Sequence, residues 1–276
     1  MGKQAYLANL SFTYLKGTDA QELTRSLYVV DESTKGEDHY FPERTLSRFA
    51  SRVFGERICV YAFESVGVAP VRDAYHYLAE QLNVDAVVLV DGGTDILLRG
   101  DEVSLGTPAE DMVSLAAVNA VDVPTRVVAC VGFGVDTFHG VCHANWLENL
   151  AGLASVGAFR GAIALLQSMP EVRFYLDALA DADLATPGRP SIVNGSIASA
   201  IEGRFGDYHR YRRTRDSKLF INPLMSLLWM CELGAVARRN LYLDRLMETE
   251  SHREVLLAIE GFHATVRSRP PEAIPH

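Results

Sequence analysis

Short runs of strand-forming residues alternate with longer segments of helical period along this chain, and that alternation restricts the fold more than any other feature. The run AVVLV, residues 86–90, and the run VVACV, residues 127–131, are each about one strand long. Between them lies TPAEDMVSLAAV, whose apolar residues recur three and four apart. Strand, helix, strand in that order demands a crossover connection, which places the two strands parallel and puts the helix over one face of a sheet. Strands are predicted at 5–10, 27–30, 57–63, 85–90 and 125–131, and more weakly at 191–193 and 219–221. Helices are predicted at 41–53, 69–82, 108–121, 144–153, 159–168, 172–180, 223–239 and 251–267. The expected fold class is α/β, a mostly parallel sheet with helices on both faces, in a single domain over 1–276.

Several local signals agree. Thr107-Pro108 offers a capping hydroxyl before a proline at the first helical position, with Glu110 and Asp111 in the first turn where negative charge suits the helix dipole. Asn222-Pro223 repeats the device. The proline-rich end, about 268–276, is expected to fray. The segment LFINPLMSLLWMCELGAVA is apolar around most of a helix circumference, which suits a core helix or a subunit interface, so a homo-oligomer is expected.

Composition narrows the partners. A net charge of −9 argues against a general nucleic-acid-binding face. No apolar run reaches bilayer length and the N-terminus lacks signal-peptide architecture, so a cytoplasmic, non-membrane protein is expected. Cys59, Cys130, Cys142 and Cys231 are widely separated and read as reduced thiols rather than disulfides or a paired-cysteine zinc site.

In an open parallel sheet the ligand crevice lies beyond the carboxyl ends of the strands. Polar clusters fall there repeatedly: Asn9 and Ser11 after the first strand, DGGTD after the fourth, GFGVDTFHGVCH after the fifth, and VNGS after the sixth. Asp91 and Asp95 can coordinate a hard cation, bond hydroxyls, or serve as acid and base, with Gly92, Gly93 and Thr94 making room for a ligand. Asp136, His139, Cys142 and His143 offer protons or metal ligands, although no HExxH is present to support zinc. Gly132 and Gly134 can turn backbone N–H groups toward an anion. The candidate catalytic set is therefore Asp91, Asp95, Asp136 and His139. The candidate binding set is Asn9, Ser11, Gly92, Gly93, Thr94, Gly132, Gly134, His143, Asn194, Ser196 and His209. Asp101 and Glu102, further from the strand end, are expected in solvent or in ion pairs. RFGDYHRYRRTRDSK, from 204 to 218, suits an anionic ligand because guanidinium groups grip carboxylate and phosphate bidentately; it equally suits a solvated surface.

The ordered series VDAVVLVDGGTDILLRGDEVSLGTPAEDMVSLAAV, VPTRVVACVGFGVD and INPLMSLLWM, roughly 79–243, resembles the uncharacterised prokaryotic family known as domain of unknown function 1152. The resemblance implies a Rossmann-like three-layer α/β/α fold and no settled reaction. Members typically open with a strand and a glycine-rich run, a phosphate cradle, whereas this chain begins near their second strand; HGVCH also departs from the family's short loop. Either the start is truncated or that loop has been dispensed with, and the crevice then suits a small polar or anionic metabolite held by Asp91, Asp95, Asp136 and His139. Two functions follow as expectations. One is an enzyme using acid–base or hydrolytic chemistry on such a metabolite, with a divalent metal as an open option. The other is a non-catalytic nucleotide- or metabolite-binding or assembly protein with a degenerate site. No GxSxG, P-loop or HExxH occurs, so no nucleophile is identified.

Overall fold

A computed structural model describes residues 4–36 and 40–274. The elements run β1 (Leu7–Leu10), β2 (Gln21–Thr24), β3 (Leu27–Val30), α1 (Pro42–Phe54), β4 (Val60–Phe63), α2 (Val68–Gln81), β5 (Ala86–Asp91), α3 (Pro108–Asn119), β6 (Thr125–Cys130) and α4 (His143–Ser155). They continue with β7 (Phe159–Ala164), α5 (Pro170–Ala185), α6 (Ile192–Ile201), β8 (Leu227–Glu232), α7 (Leu233–Arg239) and α8 (His252–His263).

The protein is α/β, with two mixed four-stranded sheets in the orders β1-β4-β3-β2 and β5-β6-β8-β7. Among the strands of the described residues, β1 with β4 and β5 with β6 pair parallel, and the other strand pairs are antiparallel. The expected mostly parallel sheet is therefore corrected to mixed sheets. Two chain reversals account for the difference. β2 and β3 form a hairpin whose turn places Ser26 at φ 76°, and β8 returns between β6 and β7.

β8 also overturns the helix expected over 223–239. Pro223 opens a 3₁₀ turn, Leu227–Glu232 is strand, and only Leu233–Arg239 is helical. A continuous apolar run reads equally well as buried strand or buried helix, and pairing on both edges decided for strand. For the same reason 159–168 is not a helix, since β7 pairs along β8. At 191–193 the error is reversed: Ser191 accepts a hydrogen bond from the Asn194 N–H at 3.2 Å and caps α6. The 219–221 stretch makes a single bridge, Gly206 with Ile221.

α3 is the central helix of the core. Met112, Val113, Leu115, Ala116, Ala117 and Val118 are fully buried, and the helix packs on α2, α7, α8 and β5. One contiguous apolar cluster joins Leu27 and Phe63 of the first sheet to Leu89 and Val128 of the second. Cys130 and Cys231 are buried within it, and all four cysteines are free thiols. Among the described residues no helix is long and apolar enough to cross a membrane.

Glu102 is not in solvent. It is 2% exposed and accepts hydrogen bonds from the N–H of Gly100 and from Asn149 Nδ2, both at 2.8 Å. Arg269 Nη2 also donates to it at 2.8 Å, and Arg269 meets Asp101 at 2.9 Å. His263 Nε2 donates to the Glu102 carbonyl at 2.7 Å. Residue 269 is thereby anchored within the stretch expected to fray. Removing the buried carboxylate leaves the Gly100 N–H and Asn149 Nδ2 without this acceptor, so Glu102→Ala is expected to lower unfolding free energy by about 3 kcal/mol. Urea denaturation of the two proteins tests this, and a loss below about 1 kcal/mol would place the anchor elsewhere.

Candidate functional site

β5 and β6 run parallel in a register that sets Asp91 opposite Cys130, so the loops that follow the two strands leave the sheet side by side. The first loop passes through Gly92, Gly93 and Thr94 into a 3₁₀ turn at Asp95–Leu97. The second passes through Gly132 and Gly134 into a 3₁₀ turn at Val135–His139. They are stitched together by Thr94, whose N–H donates to Asp136 Oδ2 at 2.8 Å and whose hydroxyl reaches the same oxygen at 3.4 Å. From behind, Trp146 Nε1 on α4 donates to the Thr94 carbonyl at 2.9 Å.

This junction concentrates carboxylates. Asp91, Asp95 and Asp111 each present an oxygen, and the three lie within 4.8 Å of one another. A Cβ placed on Gly93 would come 2.9 Å from Asp136 Oδ2 and 3.1 Å from Asp91 Oδ1, so only glycine lets this backbone lie against both groups. Gly106, at φ +70°, is similarly pressed on Asp95, where a Cβ would come 2.3 Å from Oδ2. The Thr107 N–H donates to Asp95 Oδ2 at 2.7 Å, so the loop before α3 serves Asp95, and the Thr107 hydroxyl does not cap the helix.

Beside the junction opens a cavity of about 1650 Å³. Of the candidate residues, Asp136, His139, Gly134, Asn194 and Ser196 line it. Asp91, Asp95, Gly93 and Thr94 stand behind Asp136 as a buried group. Gly92 is exposed, and a Cβ on it would touch the cavity residue Val193 at 3.4 Å.

Other candidates are engaged elsewhere. Gly132 N–H donates to the Met225 carbonyl at 3.1 Å and is not offered to an anion. Asn9 Nδ2 donates to Glu43 on α1 at 2.8 Å, and Ser11 Oγ accepts from the Thr13 N–H at 3.0 Å, closing its own turn. His143 stacks on Phe133 with centroids 4.9 Å apart, and its Nε2 lies 3.0 Å from Thr137 Oγ1; burial lowers its pKa. His209 sits 3.2 Å from Asp207 and 3.0 Å from Thr214 Oγ1. The residue that sequence reasoning missed is Asp111. Its place in the first turn of α3 already had an explanation in the helix dipole, and no spacing rule tied it to Asp91 twenty residues earlier.

The family model described as "Protein of unknown function (DUF1152)" matches residues 11–260. The chain belongs to that family. No curated protein and no solved structure matches it. The DUF1152 match takes in both loops, the acidic junction and the whole lining of the cavity.

Chemically, three carboxylates in this space have the donor set of a hard divalent cation, with Asp91, Asp95 and Asp111 as the residues able to hold it. The same burial penalises bare negative charge. Desolvation first, and then the neighbouring carboxylates, raise Asp91 and Asp111 well above the usual carboxylate range. Asp95 is raised by desolvation and opposed by its Thr107 hydrogen bond and by His139. Asp136 is pushed up to about 6, again by desolvation and then by Asp95, against the pull of the Thr94 hydrogen bonds.

A carboxyl with a folded-state pKa above its unfolded value holds its proton better when folded, so its contribution is present below the unfolded pKa and lost as pH rises through the folded one. For Asp136 that window runs from 3.8 to about 6. Asp95→Asn keeps an acceptor for Thr107 and removes one charge from the group. The variant should therefore lose less stability than the parent between pH 4 and 7 and be the more stable protein at neutral pH by about 1–2 kcal/mol. Thermal unfolding across that range measures it, and parallel curves for the two proteins would contradict the repulsion described.

Proposed function

We propose that the chain is an enzyme that acts on a polar group of a metabolite by acid–base or hydrolytic chemistry, with Asp136 as the proton-moving residue. The observation that carries this reading is the position of Asp136 at the boundary between the acidic junction and the cavity. It is 7% exposed, lines the cavity wall, and is held at a fixed angle by the Thr94 N–H.

A general acid or base works best when its pKa lies near the working pH, and a carboxyl raised to about 6 meets that condition. His139, exposed on the same wall, is the partner able to take or return a proton. Asp95 acts through Asp136 as a positioning charge. The unit β5–α3–β6, parallel strands joined by a helix, supports a Rossmann-like reading of this part of the fold, with the ligand beyond the strand ends.

Incubation of the protein with a fractionated metabolite extract, followed by mass spectrometry, tests the assignment. The parent should consume a compound that Asp136→Asn leaves intact, with a rate loss of about 100-fold or more and an unchanged circular dichroism spectrum. Equal consumption by both proteins would remove Asp136 from the chemistry. A compound retained in a non-denaturing mass spectrum but not converted would favour the metabolite-binding reading instead.

A further inference from the structure

The cavity is built for more than a small polar molecule. At about 1650 Å³ it exceeds the roughly 300–1,000 Å³ that usual ligand sites occupy. Its walls are largely apolar, with Leu46 on α1, Leu179 on α5 and Ile192 on α6 among them. Phe12, Phe138 and Phe220 also line it and are 68%, 72% and 56% exposed. Large apolar side chains left open around one concavity mark a ligand surface rather than ordinary surface scatter.

Cations line the same cavity. Arg189, Arg213 and Lys218 line it, and among the described residues none of the three forms an ion pair. Arg213 Nη1 donates to the Pro190 carbonyl at 3.3 Å, which brings it beside Arg189. Arg189 in turn lies 5.9 Å from the Tyr40 ring centre. The carboxylates in the wall are engaged elsewhere. Asp183 accepts from the Tyr211 hydroxyl at 2.9 Å, Asp207 takes the Leu219 N–H at 2.8 Å and faces His209 at 3.2 Å, and Asp136 belongs to the acidic junction. Ser191, Ile192, Val193 and Asn194, the cap and first turn of α6, complete that side and add the positive end of a helix.

We infer that the cavity takes an amphiphilic anion. Its carboxylate or phosphate is gripped at the Arg189, Arg213 and Lys218 rim, and its apolar body lies along the Leu46, Leu179 and Ile192 walls. This deepens the proposed function and rests on it only for the further step, that the bound molecule presents its reacting group to Asp136. Arginine supplies planar paired donors for such a head group, and transfer of each methylene from water supplies the remaining affinity.

Titration with octyl phosphate below its micelle concentration, beside inorganic phosphate and octyltrimethylammonium, tests the inference by calorimetry. Octyl phosphate should bind at least tenfold more tightly than inorganic phosphate, the cationic amphiphile should bind at least tenfold more weakly than octyl phosphate, and a decyl chain should tighten binding at least threefold. The double variant Arg189→Ala/Arg213→Ala should weaken octyl phosphate at least tenfold while keeping the parent's circular dichroism spectrum. Should that variant fail to fold, Lys218→Glu is the substitute, with the same expected loss. Equal binding of octyl phosphate and inorganic phosphate, equal binding of the two amphiphiles, or an unaffected arginine variant would overturn the inference. Asp136→Asn should bind octyl phosphate like the parent, so a failure of the catalytic reading would appear in turnover alone and a failure of the amphiphile reading in binding alone.

Discussion

The parallel pairing of β5 with β6 is the constraint on which the site depends. It is a crossover pair, so α3 must lie between the strands in sequence and over them in space, and the register that sets Asp91 opposite Cys130 ends both strands at the same level. Everything chemical follows from that level ending. Two loops emerge together, Thr94 of one binds Asp136 of the other, and the first turn of α3 contributes Asp111 to the same few ångströms. A register slipped by one residue would turn Asp91 to the opposite face and dissolve the cluster.

Burial makes this cluster costly, and the cost is arranged rather than avoided. Glycines at 93 and 106 let backbone approach the carboxylates where a side chain would not fit. Amide donors from Thr94, Ile96 and Thr107 supply partial positive charge. No arginine or lysine among the described residues forms an ion pair with Asp91, Asp95, Asp111 or Asp136. Arg189, Arg213 and Lys218 line the cavity that Asp136 borders. The acidic junction and these cations therefore border one space, Asp136 being the junction member that reaches it.

Much of this was legible in the residues themselves. The runs at 85–90 and 125–131 and the Thr107-Pro108 start of α3 are local signals, and the elements they mark are present. Asp91, Asp95, Asp136 and His139 stood out because they follow strand ends in a crossover unit, and the structure brings Asp91, Asp95 and Asp136 to one junction and sets His139 with Asp136 on the cavity wall. What escaped is non-local. LLWMCE carries no mark that distinguishes a strand between β6 and β7 from a buried helix, because only the partners decide. Asn9, Ser11, His143 and His209 have the right chemistry after the right elements, yet Glu43, Thr13, Thr137 and Asp207 engage them. Asp111 had a sufficient local explanation, which concealed a distant one.

The place of β8 has a consequence for how the chain reaches this structure. β6 and β7 are made early, but each is bonded to β8 and neither to the other. The gap between them therefore waits while α5 and α6 are synthesised, and it is filled only by Leu227–Glu232. Long-range pairing of this kind is slow and leaves strand edges exposed in the meantime. A chain released before residue 227 would present the edge of β6, which ends in Ala129 and Cys130, as a template for other chains. The last strand to be made is thus the one that pairs with both waiting edges.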